Sequence, residues 1–148
     1  MEKSPFFMES IVIEAPKELI FSVIEDGEIQ NEWMEGFKEG RVISKTNDLV
    51  GTEFEEIIEV DKRRHVFHGR ILAYEKDEKI KVSLDEDDFE IKIEYDVERL
   101  EKNKTLLILK CWLLNTLKPK LVVEYYMNSR LEKQLQRIKT TAESKVKK

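Results

Sequence analysis

The residues of this 148-residue chain whose types and spacing can do chemistry are a carboxylate in an apolar strand, two histidines and an asparagine in an apolar helix. Glu56 has the parity of Phe54 and Ile58, and alternate residues of a strand share a face. A carboxylate on that inward face must be paired, protonated or open to a wet pocket. There it either hydrogen-bonds a ligand hydroxyl or acts as a general base. A bulge after Glu55 would instead turn it outward. His65 and His68 are three apart on the next strand, so they face opposite sides and do not grip one metal together. Parity groups His68 with Val66 and Leu72, which makes it, with Glu56, a candidate for acid–base work; one bulge would turn it away. Asn128 interrupts an apolar helical stripe beside Tyr125, and a polar group there needs a partner: a ligand, a cavity water or sheet backbone. Arg70 shares the face of His68 and either binds a carboxylate ligand or pairs with surface acids. Trp33 and Trp112 either line a ligand site or are plain core.

Other chemistries find no support. Cys111 is the single cysteine, which leaves no internal disulfide and no multi-cysteine zinc site. Asp85-Glu86-Asp87-Asp88 lacks the glycine and distal glutamate of a calcium loop and reads as a solvated hairpin. No glycine-rich phosphate loop and no Gly-x-Ser-x-Gly elbow occur. The expectation is a site with no metal and no cofactor.

The elements that must position these residues follow from periodicity. Phe6–Ile13 reads as a strand. Pro16 then opens a helix with Leu19, Ile20, Val23 and Ile24 at helical spacing, ended by Asp26-Gly27. A second short helix, about Glu28–Met34, carries Ile29 and Trp33 on one face. Strands follow at Arg41–Lys45, Thr52–Val60, Arg64–Tyr74, Lys79–Leu84, Phe89–Val97 and Thr105–Leu114. Phe89–Val97 alternates apolar and charged residues without a break, so one face is buried and the other wet. Pro119 opens a last helix, Lys120–Lys145, with Leu121, Tyr125, Asn128, Leu131, Leu135, Ile138 and Ala142 as its stripe. Tight turns between successive strands predict an antiparallel meander. Its buried face needs a cover, and the long helix is the element of the right size. A curled sheet and a helix curve apart near the helix's first half, which leaves a hollow there.

Composition sets the outer bounds. Hydrophobic residues make up 41% and charged residues 39%, which suits one folded domain over residues 1–148. Acidic residues number 31 and basic residues 26, a net charge of −5, which argues against a nucleic-acid partner. No apolar run approaches the ~20 residues of a membrane-spanning helix. The start of the chain lacks a basic stretch followed by an apolar one, so a cytoplasmic protein without membrane insertion is expected. Residues from about 144 to 148 read as a frayed basic tail.

The stretch Ile13-Glu14-Ala15-Pro16-Lys17-Glu18-Leu19-Ile20-Phe21, followed by Asp26 and Trp33, resembles the opening of the SRPBCC superfamily. Gly51-Thr52 before an alternating strand, and a terminal helix with Leu131, Leu135 and Ala142-Glu143, are similar too. That group includes START lipid-transfer domains, the birch-pollen-allergen fold, polyketide cyclase/dehydrase-like proteins and heat-shock ATPase activator homologues. The resemblance implies an α+β helix-grip fold: a seven-stranded antiparallel sheet wrapped around a long C-terminal helix, with two short helices after the first strand. It also implies a cavity for an apolar or amphipathic small molecule. On this reading Phe54, Glu56, Ile58, His68, Ile91, Ile93, Tyr95, Leu121, Tyr125 and Asn128 line it. The alternatives are a cofactor-free cyclase or dehydratase acting on a polyketide-type substrate, and a protein-partner module like the heat-shock ATPase activators. Few inward polar groups favour binding over catalysis.

Overall fold

The computed structural model describes residues 3–146. Its elements are β1 (Phe7–Ile13), α1 (Lys17–Glu25), β2 (Phe37–Ser44), β3 (Glu53–Val60), β4 (Arg63–Glu75), β5 (Lys79–Asp85), β6 (Phe89–Glu101), β7 (Lys104–Thr116) and α2 (Lys120–Ser144). The seven strands form one antiparallel sheet in the order β1-β7-β6-β5-β4-β3-β2. Strands β2 to β7 are thus a meander, and β1 joins the far side of β7.

Local chemistry accounts for most of these boundaries. Pro16 lies just outside α1, and its carbonyl accepts the N–H groups of Leu19 and Ile20 at 3.1 and 3.2 Å. A proline there loses no donor that the helix needs. Ile20, Phe21, Val23 and Ile24 are buried against the rest of the core. The second short helix expected over Glu28–Met34 is instead a single 3-10 turn, Gln30–Glu32, with no side-chain cap. Strand β2 begins at Phe37, before the expected Arg41, because Gly36 at φ +78° turns the chain directly into it.

The turn between β3 and β4 decides which side chains meet. Asp61 and Lys62 both have positive φ, at 50° and 66°, as a two-residue hairpin of matching twist requires. Val60 therefore pairs with Arg63, Ile58 with His65, Glu56 with Phe67 and Phe54 with Gly69. The ring of Phe54 lies on Gly69, so that a Cβ there would overlap it. Gly69→Ala is expected to lower stability by about 1–3 kcal/mol by forcing the ring off the strand. The readout is the urea midpoint; an unchanged midpoint would mean that the ring relocates without cost.

The concave face of the sheet carries Ile58, Leu84, Ile91, Ile93, Tyr95, Val97, Leu107 and Leu109, all buried. Helix α2 lies across it and buries Val123, Met127, Leu131, Leu135, Ile138 and Ala142. Its second half is tied to β1. The Lys139 ammonium donates to the Val12 carbonyl at 3.1 Å, and the Glu143 carboxylate accepts the Glu14 N–H at 2.8 Å. The tail expected to fray from about residue 144 is instead held as far as Val146. Lys145 pairs with Glu32 at 3.4 Å and Val146 packs against the core. Residues 147 and 148 lie outside the described residues. Among the described residues no helix is long and apolar enough to cross a membrane.

Candidate functional site

Beneath the first half of α2 the sheet and helix separate and enclose a cavity of about 1080 Å³. That is just above the ~300–1,000 Å³ typical of small-molecule sites. Its walls are mostly apolar and rich in rings: Trp33, Phe54, Phe67, Phe89, Tyr95 and Tyr126, with Ile58, Val82, Ile91, Ile93 and Met127 among the aliphatic residues between them. Trp33 is fixed by its indole N–H, which donates to the Val23 carbonyl at 2.9 Å, and it meets Tyr95 edge to face at 6.2 Å.

A small polar cluster interrupts this lining. Glu56 is 5% exposed. Its Oε2 accepts a hydrogen bond from the Gln30 amide, while its Oε1 has no hydrogen-bond partner. Burial pushes the carboxyl up from 4.5 to about 7, against the opposing pull of the Gln30 bond and the Arg130 guanidinium. Tyr95 accepts a hydrogen bond from the Gln134 amide at 2.6 Å, in a fully buried pair. Burial, and then the nearby Glu56 carboxylate, push the Tyr95 phenol well above its usual value. Arg130 is anchored by a 2.7 Å bond from its guanidinium to the Glu35 carbonyl. His65 also lines the cavity, and its Nδ1 lies 2.9 Å from the Glu86 carboxylate. This cluster can accept and donate hydrogen bonds and, through Glu56, hold or release a proton near neutrality. Among the described residues no group of three or more His, Cys, Asp or Glu side chains is arranged to hold a metal ion.

Phe54, Glu56, Ile58, Ile91, Ile93 and Tyr95 line this cavity, and no bulge turns Glu56 outward. Of the ten residues expected to line it, His68, Leu121, Tyr125 and Asn128 lie elsewhere. His68 sits on the convex face, 3.2 Å from Glu53 and 3.5 Å from Asp85, because the two-residue turn puts odd-numbered residues of β4 inward. Arg70 joins it there and pairs with Glu53 at 3.5 Å. Leu121 and Tyr125 are 77% and 81% exposed, and Asn128 is half-buried outside the cavity wall. The helix presents Val123 and Met127 in their place. Trp112 also belongs to the convex face, where its ring lies under the ammonium groups of Lys81 and Lys92 and its N–H donates to the Lys3 carbonyl at 2.7 Å.

Gln30, Arg130 and Gln134 were not among the residues expected at the site, and of the two histidines it is His65, not His68, that lines the cavity. Gln134 carried a readable signal, since it lies three residues after Leu131 and four before Ile138, on the buried stripe. His65 follows from the hairpin register. Gln30 and Arg130 carried none, as neither breaks a pattern.

The geometry has parallels among solved structures. A START superfamily protein from Mycobacterium smegmatis superposes with a TM-score of 0.82 at 18% identity, over 95% of this chain and 98% of that one. The Zhui aromatase/cyclase from Streptomyces sp. R1128 does so with a TM-score of 0.80 at 12% identity, over 95% and 94%. Ara h 8.0201 gives a TM-score of 0.73 at 12% identity, over 93% and 97%. No protein-family model and no curated protein matches the sequence. At these identities the likeness is one of architecture: the chain has the helix-grip fold that these solved structures share.

Proposed function

We propose that this protein binds an apolar or amphipathic small molecule in the cavity between sheet and α2. The observation that carries this reading is a roomy space walled mostly by rings and aliphatic side chains, with a buried polar cluster around Glu56 and exposed charged residues, Asp26, Arg41 and Arg63 among them, also on its lining. A void of that size in a protein core forfeits packing, and it is a favourable site for an apolar body of matching size. The similarity to a START superfamily protein and to an aromatase/cyclase supports the reading.

The test is titration with Nile red, a neutral dye whose emission reports an apolar environment. Binding is expected to be saturable on the native protein and to raise the melting temperature. A ligand at a hundred times its Kd stabilises the folded state by ~2.7 kcal/mol. Dye uptake only on unfolding, with no thermal shift, would mean that the cavity does not take ligands.

A second reading, a cofactor-free cyclase or dehydratase, draws on Glu56. A buried carboxyl that titrates near pH 7 is matched to general acid–base work at neutrality. It predicts that ligand recovered from the wild-type protein is chemically altered, whereas ligand recovered from Glu56→Gln is not. Mass spectrometry of the extracted ligand distinguishes the two readings.

A further inference from the structure

The polar cluster has an incomplete hydrogen-bond inventory. A carboxyl buried to this degree ordinarily has both oxygens satisfied, because an orphaned buried polar atom costs free energy. Glu56 spends Oε2 on Gln30 and leaves Oε1 without a partner. Its neighbour Tyr95 receives a hydrogen bond from Gln134 and retains its own O–H as a donor. Both residues line the cavity, and they are close enough for the Glu56 charge to act on the Tyr95 phenol. The wall thus offers one unpaired carboxyl oxygen, an acceptor when Glu56 is ionised and the seat of its proton when it is not, and one phenolic donor beside it.

Charge narrows the choice of ligand. Arg130 also lines the cavity and acts on both Glu56 and Tyr95, so a cation and an anion sit within reach of the same spot. An ammonium ligand drawn to Glu56 would meet the guanidinium, and a carboxylate ligand drawn to Arg130 would meet Glu56. Each ion also loses its hydration in an apolar cavity. A neutral group that both donates and accepts suffers neither conflict. We infer that the cavity takes a neutral apolar molecule carrying a hydroxyl group, which donates to Glu56 Oε1 and accepts from the Tyr95 hydroxyl. The inference rests on the reading of the cavity as a binding site and adds the chemistry of the ligand's head.

Four probes with one aromatic body and different heads test it: pyrenemethanol, methylpyrene, pyrenemethylamine and pyrenecarboxylate. Affinities are measured by pyrene fluorescence and by calorimetry at pH 8.5, where the Glu56 carboxyl is ionised. The hydroxyl is expected to improve affinity over methylpyrene about tenfold, the value of one good buried hydrogen bond. Both charged probes are expected to bind more weakly than pyrenemethanol. In Glu56→Leu, which replaces the carboxyl with an apolar group of similar volume, the ratio of pyrenemethanol to methylpyrene affinity is expected to fall toward one. The wild-type ranking stands as a test even if that variant does not fold. Equal binding of pyrenemethanol and methylpyrene would overturn the inference and leave the cavity reading intact. A preference for the amine or the carboxylate would do the same. Failure of all four to bind would overturn both.

Discussion

The stability difference between Glu56→Gln and the wild-type protein is expected to shift in the variant's favour by about 3 kcal/mol as pH rises from below 4.5 to above 7. The unfolded chain releases the Glu56 proton near 4.5, whereas burial makes the folded protein hold it until about 7. Between those values the native state binds more protons than the unfolded one, so the wild type loses stability as pH rises. Below the window the carboxyl is neutral in both states and the loss is absent; above it the loss is complete. Glutamine does not titrate, keeps the shape and still offers an oxygen to Gln30. Its difference from wild type therefore isolates this one group, whatever its own baseline. That isolation matters because the convex face carries a second titrating pair. There, burial and the neighbouring Glu94 raise Asp96, while Asp96, Lys81 and Lys110 hold Glu94 down against the effect of burial. This pair is common to both proteins and cancels. Urea unfolding at several pH values supplies the curves. A flat difference would mean that the native carboxyl is ionised and solvated at neutral pH, and with it the case for Glu56 as a proton-holding group would fall.

The ease of reading this fold and the difficulty of reading its site have physical causes. Alternation in β6 is unambiguous because a charge on every second residue leaves only one face to bury: Ile91, Ile93, Tyr95 and Val97 are all buried. The same rule placed Glu56, since the β3 ladder runs without a bulge through Phe54 and Ile58. It failed on β4, where both faces carry apolar side chains. Val66 and Leu72 look like an inward set but are 50% and 38% exposed. The decisive clue was the length of the turn. With only Asp61 and Lys62 between the ladders, paired residues sum to an odd number, so inward even positions on β3 face inward odd positions on β4. His65 and Phe67 then belong to the cavity and His68 does not. Farther along, the irregularity between Ile71 and Ala73 reverses the parity again and brings Tyr74 inward, against the ring of Phe21. No residue type announces that bulge. The partners Gln30 and Arg130 reach Glu56 from a 3-10 turn and from the terminal helix. Such a meeting depends on the path of the whole chain, which periodicity does not describe.

Leu135→Ala is expected to cost about 2–5 kcal/mol, whereas Leu121→Ala, on the same helix and in the same apparent stripe, is expected to stay within ~0.5 kcal/mol. Leu135 is 4% exposed and packs with Leu131, Ile138 and Ala142 where α2 is tied to β1. Removing its side chain there leaves a hole that the sheet cannot close. Leu121 is 77% exposed, so it loses little on truncation. The stripe divides because of the steps within it. A residue advances ~100° around an α-helix, so steps of three and four deviate in opposite directions and cancel only when mixed. From Leu131 to Ala142 the steps are four, three and four, and the residues hold one face. Going back from Leu131, two successive steps of three reach Asn128 and Tyr125, and Tyr125 ends ~120° away. Steps of four reach Met127 and Val123, which are the buried residues. Chemical unfolding of the two variants reads the difference directly. Equal midpoints would mean that the second half of α2 does not hold the core, and a large loss at Leu121 would mean that the helix's first turns are covered in solution.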